Sequence, residues 1–177
     1  AACNPCPCGY YQAEGSEKCS CSDHRVQQYR KRLSGPILDR IDMHINMKPV
    51  EVHKLSDSEK SQMTGESSEV IAKRVRLASM IQQKRFKSNE VLNNSEMSNT
   101  DTKKFCKLDD ESSELLEEAT ERFEISARSY FKILKIARTI ADLNLAQAFI
   151  LKEADDLDIG IPISIDNLAE ALQYRIG

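Results

Sequence analysis

The sequence predicts a mainly helical protein: an α/β remnant over residues 1–50, a linker over 51–66 and a small helical bundle over 67–177. Three observations predict it. From Ser67 onward, apolar residues recur at three- and four-residue spacing, the period of helices with one buried face. Ahead of Ser67 the pattern is mixed, with a Cys-rich loop and one short alternating run. Composition points the same way: 30% of the 177 residues are charged, mean hydropathy is −0.50 and Trp is absent. Such a composition favours an ion-pair-rich helical chain over a β-sandwich.

Residues 1–5 read as the end of a buried strand that leaves at Asn4-Pro5, because the residue before Pro is pushed towards extended geometry. Residues 6–21 form a loop without periodicity. Ser22 or Asp23 then caps a basic helix running to about Leu33, with Val26, Tyr29, Arg30 and Leu33 on one face. In Ser34-Gly35-Pro36-Ile37-Leu38-Asp39-Arg40-Ile41-Asp42, Gly35 suits a left-handed cap and Pro36 a first helical position. A short new helix would throw Arg40 off its end, between Asp39 and Asp42. The planar, permanently charged fork of Arg suits bidentate binding of a phosphate; the plain alternative is a surface turn with a weak ion pair. Met43-His44-Ile45-Asn46-Met47 alternates apolar and polar, the pattern of a short strand. Lys48 to Gly65 is polar and patternless.

Four helices follow. Ser67 or Ser68 caps one to about Phe86, with Ile71, Val75, Ala78 and Ile81 as its stripe. Asp109 opens a second, with Leu115, Leu116 and Ala119 inward. Ser126 opens a third, in which Tyr130, Ile133, Leu134, Ala137, Ile140 and Ala141 face the core. Ser164 caps a last one, carrying Ile165, Leu168, Ala169, Leu172 and Arg175. Stripes of this kind are core and carry no chemistry of their own.

Six cysteines would suit a disulfide scaffold in a secreted chain. No signal-peptide pattern opens the sequence and no apolar run approaches a membrane span, so a reducing, cytoplasmic setting is expected. Cys6, Cys8, Cys19 and Cys21 form Cys-Pro-Cys and Cys-Ser-Cys pairs, offering the four thiolates that tetrahedral structural zinc requires. Each pair is spaced by one residue where knuckles commonly use two, so free thiols remain the alternative. Cys3 and Cys106 read as small buried hydrophobes, and His24, His44 and His53 as ordinary.

Five further blocks stand with the Arg40 segment: Ala1-Ala2-Cys3-Asn4-Pro5-Cys6-Pro7-Cys8-Gly9, Gly65-Glu66-Ser67-Ser68, Ser126-Ala127-Arg128-Ser129-Tyr130, Ile133-Leu134-Lys135-Ile136-Ala137-Arg138-Thr139-Ile140-Ala141-Asp142-Leu143, and Ala169-Glu170-Ala171-Leu172-Gln173-Tyr174-Arg175. In that order and spacing they resemble the C-terminal part of the magnesium-chelatase-like AAA+ ATPases, the ComM/YifB family. The match is weakest from Asn144 to Ser164, which is longer and more acidic than the resemblance leads one to expect.

The resemblance implies that residues 1–50 end an AAA+ α/β core and that 67–177 form its helical lid. Asn4 would be the sensor-1 residue, Arg40 the arginine finger and Arg128 the sensor-2 residue at the start of the lid's main helix. An Asn-Pro turn and an exposed first-turn Arg are the plain alternatives for Asn4 and Arg128. Lys135 and Arg138 could touch phosphate or nucleic acid, or simply be solvated. The resemblance further implies ATP and Mg2+ as cofactors of a longer protein, a homo-oligomeric ring of six subunits, and DNA as partner. It points to branch migration in natural transformation; chelatase-like or chaperone-like work is the older description. Any zinc would be structural.

No Gly-rich phosphate loop and no following acidic Mg-holding strand occurs in this sequence, so the chain alone should be inactive. Its start, without Met, suggests a piece of something longer. A different class of function is a non-enzymatic, zinc-containing nucleic-acid-binding module. It would use the basic helix (Arg25, Arg30, Lys31, Arg32) and a second basic stretch (Lys73, Arg74, Arg76, Lys84, Arg85, Lys87). A plain helical interaction module is the third reading. The net charge of −3 does not by itself point to nucleic acid.

Overall fold

A computed structural model describes residues 1–11, 19–32, 35–38, 40–47, 66–87, 91–151 and 159–175. Expectations for Leu33, Asp39, His53, most of the 51–66 linker and the acidic residues from Glu153 to Asp158 lie outside them. The chain divides into two compact units, one within Ala1–Ser56 and one within Asp57–Arg175.

In the first unit, α1 spans Asp23–Lys31 and ends near its expected position. Ser22 precedes it in extended geometry, without a side-chain capping bond. Asp23 in the first turn and Arg30 and Lys31 in the last all complement the helix dipole. Val26 is its buried residue. A short α2, Gly35–Leu38, forms at the Gly-Pro break, and Gly35 lies inside it instead of serving as a left-handed cap. Neither expected strand forms. Residues 1–5 are exposed and unpaired in any ladder, and Met43–Met47 is likewise non-strand, with Ile45 63% and Met47 86% exposed. Alternation gives a segment two faces, but only hydrogen bonding to a neighbour makes it a strand, and no described residue supplies one.

The second unit is helical. Its elements are α3 (Ser68–Phe86), a 3-10 turn (Asn94–Glu96), α4 (Asn99–Phe105), α5 (Asp110–Arg122), α6 (Ala127–Ile150) and α7 (Ile165–Gln173). Side chains open most of them: Ser67, Ser98, Asp109 and Ser126 each accept an N–H from the first turn, satisfying donors that the helix leaves without partners. The Asp109 carboxyl lies below its ordinary pKa because it accepts from Ser112. Ser164 precedes α7 without such a bond. The sequence reading did not anticipate α4, although Ser98 and Asp101 form a full capping box around its start.

The 24-residue α6 is the axle. It packs against α3 and α7, and against α4 and the 3-10 turn. Ile133, Leu134 and Ala137 of α6 meet Leu116 of α5, Leu168 and Ala171 of α7, and Phe86, Met97 and Cys106 in the main core. Ala78, Ile81 and Ala146 make a second, smaller cluster. The loops add one parallel bridge, where the Ile163 N–H donates to Lys107 O at 2.8 Å. The α3 stripe is only half buried: Ala78 and Ile81 are inside, whereas Ile71 and Val75 are 42% and 52% exposed.

A charged network lies inside the α3–α6 contact. Asp142 is fully buried and pairs with both Arg85 and Arg138. Asn94 adds its Nδ2, 2.9 Å from Asp142 Oδ2, and Arg138 Nη1 donates to Ile161 O at 2.7 Å. Burial pulls the Arg138 pKa down, and Asp142 opposes the fall. These bonds correct two expectations. Arg138 is a core residue, neither a contact for phosphate or nucleic acid nor a solvated charge, and Arg85 leaves the proposed basic stretch. Arg74, from the same stretch, is clamped by the Glu66 carboxylate at 2.6 and 2.7 Å. Lys135 donates to Ser95 O at 3.1 Å, tying α6 to the 3-10 turn.

Candidate functional site

The first unit holds the cysteine loop, Asn4 and Arg40. Cys6-Pro7-Cys8-Gly9 is a tight turn closed by the Gly9 N–H donating to Cys6 O at 3.0 Å. Gly9 has φ +84°, a conformation that side-chain-bearing residues rarely take. That turn folds Cys-Pro-Cys so that the Cys6 and Cys8 sulfurs are 3.3 Å apart. Cys19 Sγ lies 3.9 Å from Cys6 Sγ and 3.6 Å from Cys8 Sγ, and all four sulfurs, Cys21 included, fall within 4.8 Å of one another. None of the cysteines is in a disulfide. Thiolates ~2.3 Å from a tetrahedral zinc ion would sit ~3.8 Å apart, so the donor set fits zinc in number, chemistry and spacing. The one-residue spacing within each pair is therefore no obstacle.

The thiols differ in acidity. Cys8 falls to about 6, because the Tyr10 backbone and the Cys6 thiol both favour its thiolate. Cys19 rises to about 11: the Cys21 backbone lowers it, but burial and the neighbouring Cys8 and Cys6 sulfurs outweigh that bond. Clustered thiols compete for charge, and a divalent cation among them would remove the competition. Outside the cluster, Cys106 is buried as expected and its pKa is raised to about 11 by burial. Cys3 is exposed, contrary to expectation; the strand that would have covered it does not form.

Asn4 is exposed on the approach to the cysteine turn. A side chain added at Gly9 would come within 3.8 Å of its Nδ2, so Asn4 lies against the turn that carries Cys6 and Cys8. Tyr11, just beyond the turn, carries the Arg30 guanidinium of α1 at 5.1 Å from its ring centre. Arg40 lies two residues beyond Leu38, the last residue of α2: its N–H donates to Ile37 O at 3.0 Å, and its side chain is exposed. That is the placement expected for an Arg thrown off a short helix.

In the second unit, Arg128 is the second residue of α6 and is exposed. Ser126 caps the same turn, its Oγ accepting the Ser129 N–H at 3.2 Å. Two features escaped the sequence reading. One is Asp142 as the hub of a buried network. The other is an aromatic contact ahead of α6, where the Arg175 guanidinium lies 4.3 Å from the Phe123 ring centre. Only the four-residue step between Arg138 and Asp142 signalled the first. Nothing local signals the second, whose partners are remote in sequence.

Residues 65–175 match the family model described as "Magnesium chelatase, subunit ChlI C-terminal", and residues 1–55 match "Magnesium chelatase, subunit ChlI". The chain is 34% identical over 175 residues to the uncharacterized protein YifB of Escherichia coli strain K12, covering 99% of this chain and 30% of that protein. It is also 34% identical over 176 residues to the competence protein ComM of Haemophilus influenzae, again covering 99% and 30%. YifB of Salmonella typhimurium is 33% identical over 175 residues, with the same coverage. The chain thus spans about 30% of the length of these relatives.

Proposed function

The chain belongs to the magnesium-chelatase-like family of ComM and YifB, and from that premise we propose that it is the C-terminal part of a ring-forming AAA+ ATPase. One observation carries the proposal: similarity covers 99% of this chain, across both units, yet only 30% of each relative, and no phosphate loop occurs in this sequence. The first unit is then the end of the α/β core, and the helical second unit is the lid. The ring is a hexamer of identical subunits in the cytoplasm, with ATP sites between them.

Three side chains supply chemistry in this reading. Asn4, at the end of the segment that Pro5 stops, presents an amide to orient the attacking water near the terminal phosphate. Arg40 reaches the nucleotide of the neighbouring subunit, where a guanidinium offsets the charge that builds on the transferring phosphoryl group. Arg128 adds its charge to the α6 N-terminus, which already favours anions. Mg2+ bound with ATP would neutralise phosphate charge, but no residue pattern in this chain is suited to hold it. The four cysteines hold one structural zinc ion and fix the loop beside Asn4.

The output of the ring is DNA remodelling, a reading supported by one relative's name as a competence protein. The rival nucleic-acid module loses ground, because two of the six cations in its second basic stretch are engaged by Asp142 and Glu66. Titration of the isolated chain with ATP tests the division of labour. Without a phosphate cradle the chain should bind ATP no more tightly than millimolar and hydrolyse none. Low-micromolar binding or turnover by the chain alone would contradict the proposal.

A further inference from the structure

The link into Arg128 is short and held against its own backbone preference. α5 ends at Arg122, Phe123 is its C-cap residue, and Glu124 follows with φ 49°. A residue with a side chain adopts this left-handed geometry only at a cost, and keeps it where its surroundings enforce it. Two contacts enforce it here. The Ile125 N–H donates to Thr120 O at 3.1 Å, and the Ile125 side chain packs on the main core. On the outer side, the Phe123 ring is 46% exposed yet carries two guanidiniums, with Arg175 at 4.3 Å and Arg122 at 5.6 Å from its centre. Arg175 comes from the far end of the unit, in the turn after α7, where its N–H donates to Leu172 O at 3.3 Å. Ser126 then caps α6 and Arg128 follows.

The geometry points to Arg175 as a positioning residue for Arg128: by clamping Phe123 it fixes the Phe123–Ser126 turn, and through that turn the start of α6. This rests on the reading of Arg128 as the sensor-2 residue. Arg175 need not touch nucleotide. A cation over an aromatic face keeps part of its attraction when Lys replaces Arg and none when Ala does, so the clamp has a chemical signature distinct from simple packing. Phe123→Leu, which keeps apolar bulk but removes the π face, should behave like loss of Arg175.

The experiment is a double-mutant cycle on ATP turnover in the intact ring ATPase, with Arg128→Ala, Arg175→Ala and their combination, and Arg175→Lys and Phe123→Leu alongside. Arg175→Ala should lower kcat about two- to fivefold, the effect open to a partly exposed cation–π contact, in protein that is still folded by circular dichroism. The loss should vanish in the Arg128→Ala background, because a misplaced residue that is already absent costs nothing more. Arg175→Lys should retain part of the rate that Arg175→Ala loses. If Arg128→Ala is impaired while Arg175→Ala and Phe123→Leu both turn over at the parental rate, this inference alone fails. It fails equally if the Arg175→Ala loss persists unchanged without Arg128. Should Arg128→Ala itself run at the parental rate, the sensor-2 reading falls and takes the clamp with it.

Discussion

Asp142 faces two guanidiniums with a single carboxylate, in a buried site. Arg85 and Arg138 are each about as buried as Asp142, and Arg85 Nε has no partner among the described residues. The one carboxylate serves both cations, so removing it would strand two buried charges in low dielectric. Asp142→Asn keeps the shape and removes the charge, so it should destabilise this chain by about 3–5 kcal/mol. Urea unfolding followed by circular dichroism measures it, with exposed Glu117→Gln as a near-neutral control. A small effect from Asp142→Asn would mean that the network is wet or loosely held. Little of this was legible beforehand. An Arg in a basic stretch is by default a surface residue, and the Arg85 partner lies on another helix. The Arg40 and Arg128 placements were legible, because Gly35-Pro36 and the Ser126 cap are local signals.

At the scale of elements, helices were read well and strands were not. A helix carries its hydrogen bonds within one segment, so caps and periodicity announce it: α3, α5, α6 and α7 begin at or beside their expected caps. α4 was missed because its seven residues are too few for a stripe, and only Ser98 and Asp101 mark it. The segment from Met43 to Met47 carries the pattern of a strand but no partner among the described residues, and pattern without pairing is not structure. The cysteine loop is the remaining element, built from Gly9 and four convergent sulfurs. Protein purified without chelator should contain one zinc per chain, and the Cys19→Ser, Cys21→Ser double variant should lose it. Zinc should also be released as pH falls, because each ligand must be a thiolate and protons then compete with the metal. Negligible zinc in the parent, or unchanged zinc in the double variant, would leave the loop a cluster of free thiols.

For the whole molecule, the central claim is that this chain completes an ATP site which it does not itself build. Its two units match the two family models in order, and the phosphate loop is absent from its sequence. Arg40 bears most directly on that claim, because the finger role proposed for it acts across a subunit boundary. In the intact assembled ATPase, Arg40→Ala should slow turnover by roughly 10³-fold or more while the subunit's own ATP binding survives. The decisive measurement mixes Arg40→Ala rings with rings inactivated at the phosphate-loop lysine. Subunit exchange would set an intact Arg40 from one parent against an intact phosphate loop from the other, and ATP hydrolysis should return. An Arg40→Ala ring that hydrolyses ATP near the parental rate, or an exchanged mixture of two folded, inactive parents that regains nothing, would contradict the account.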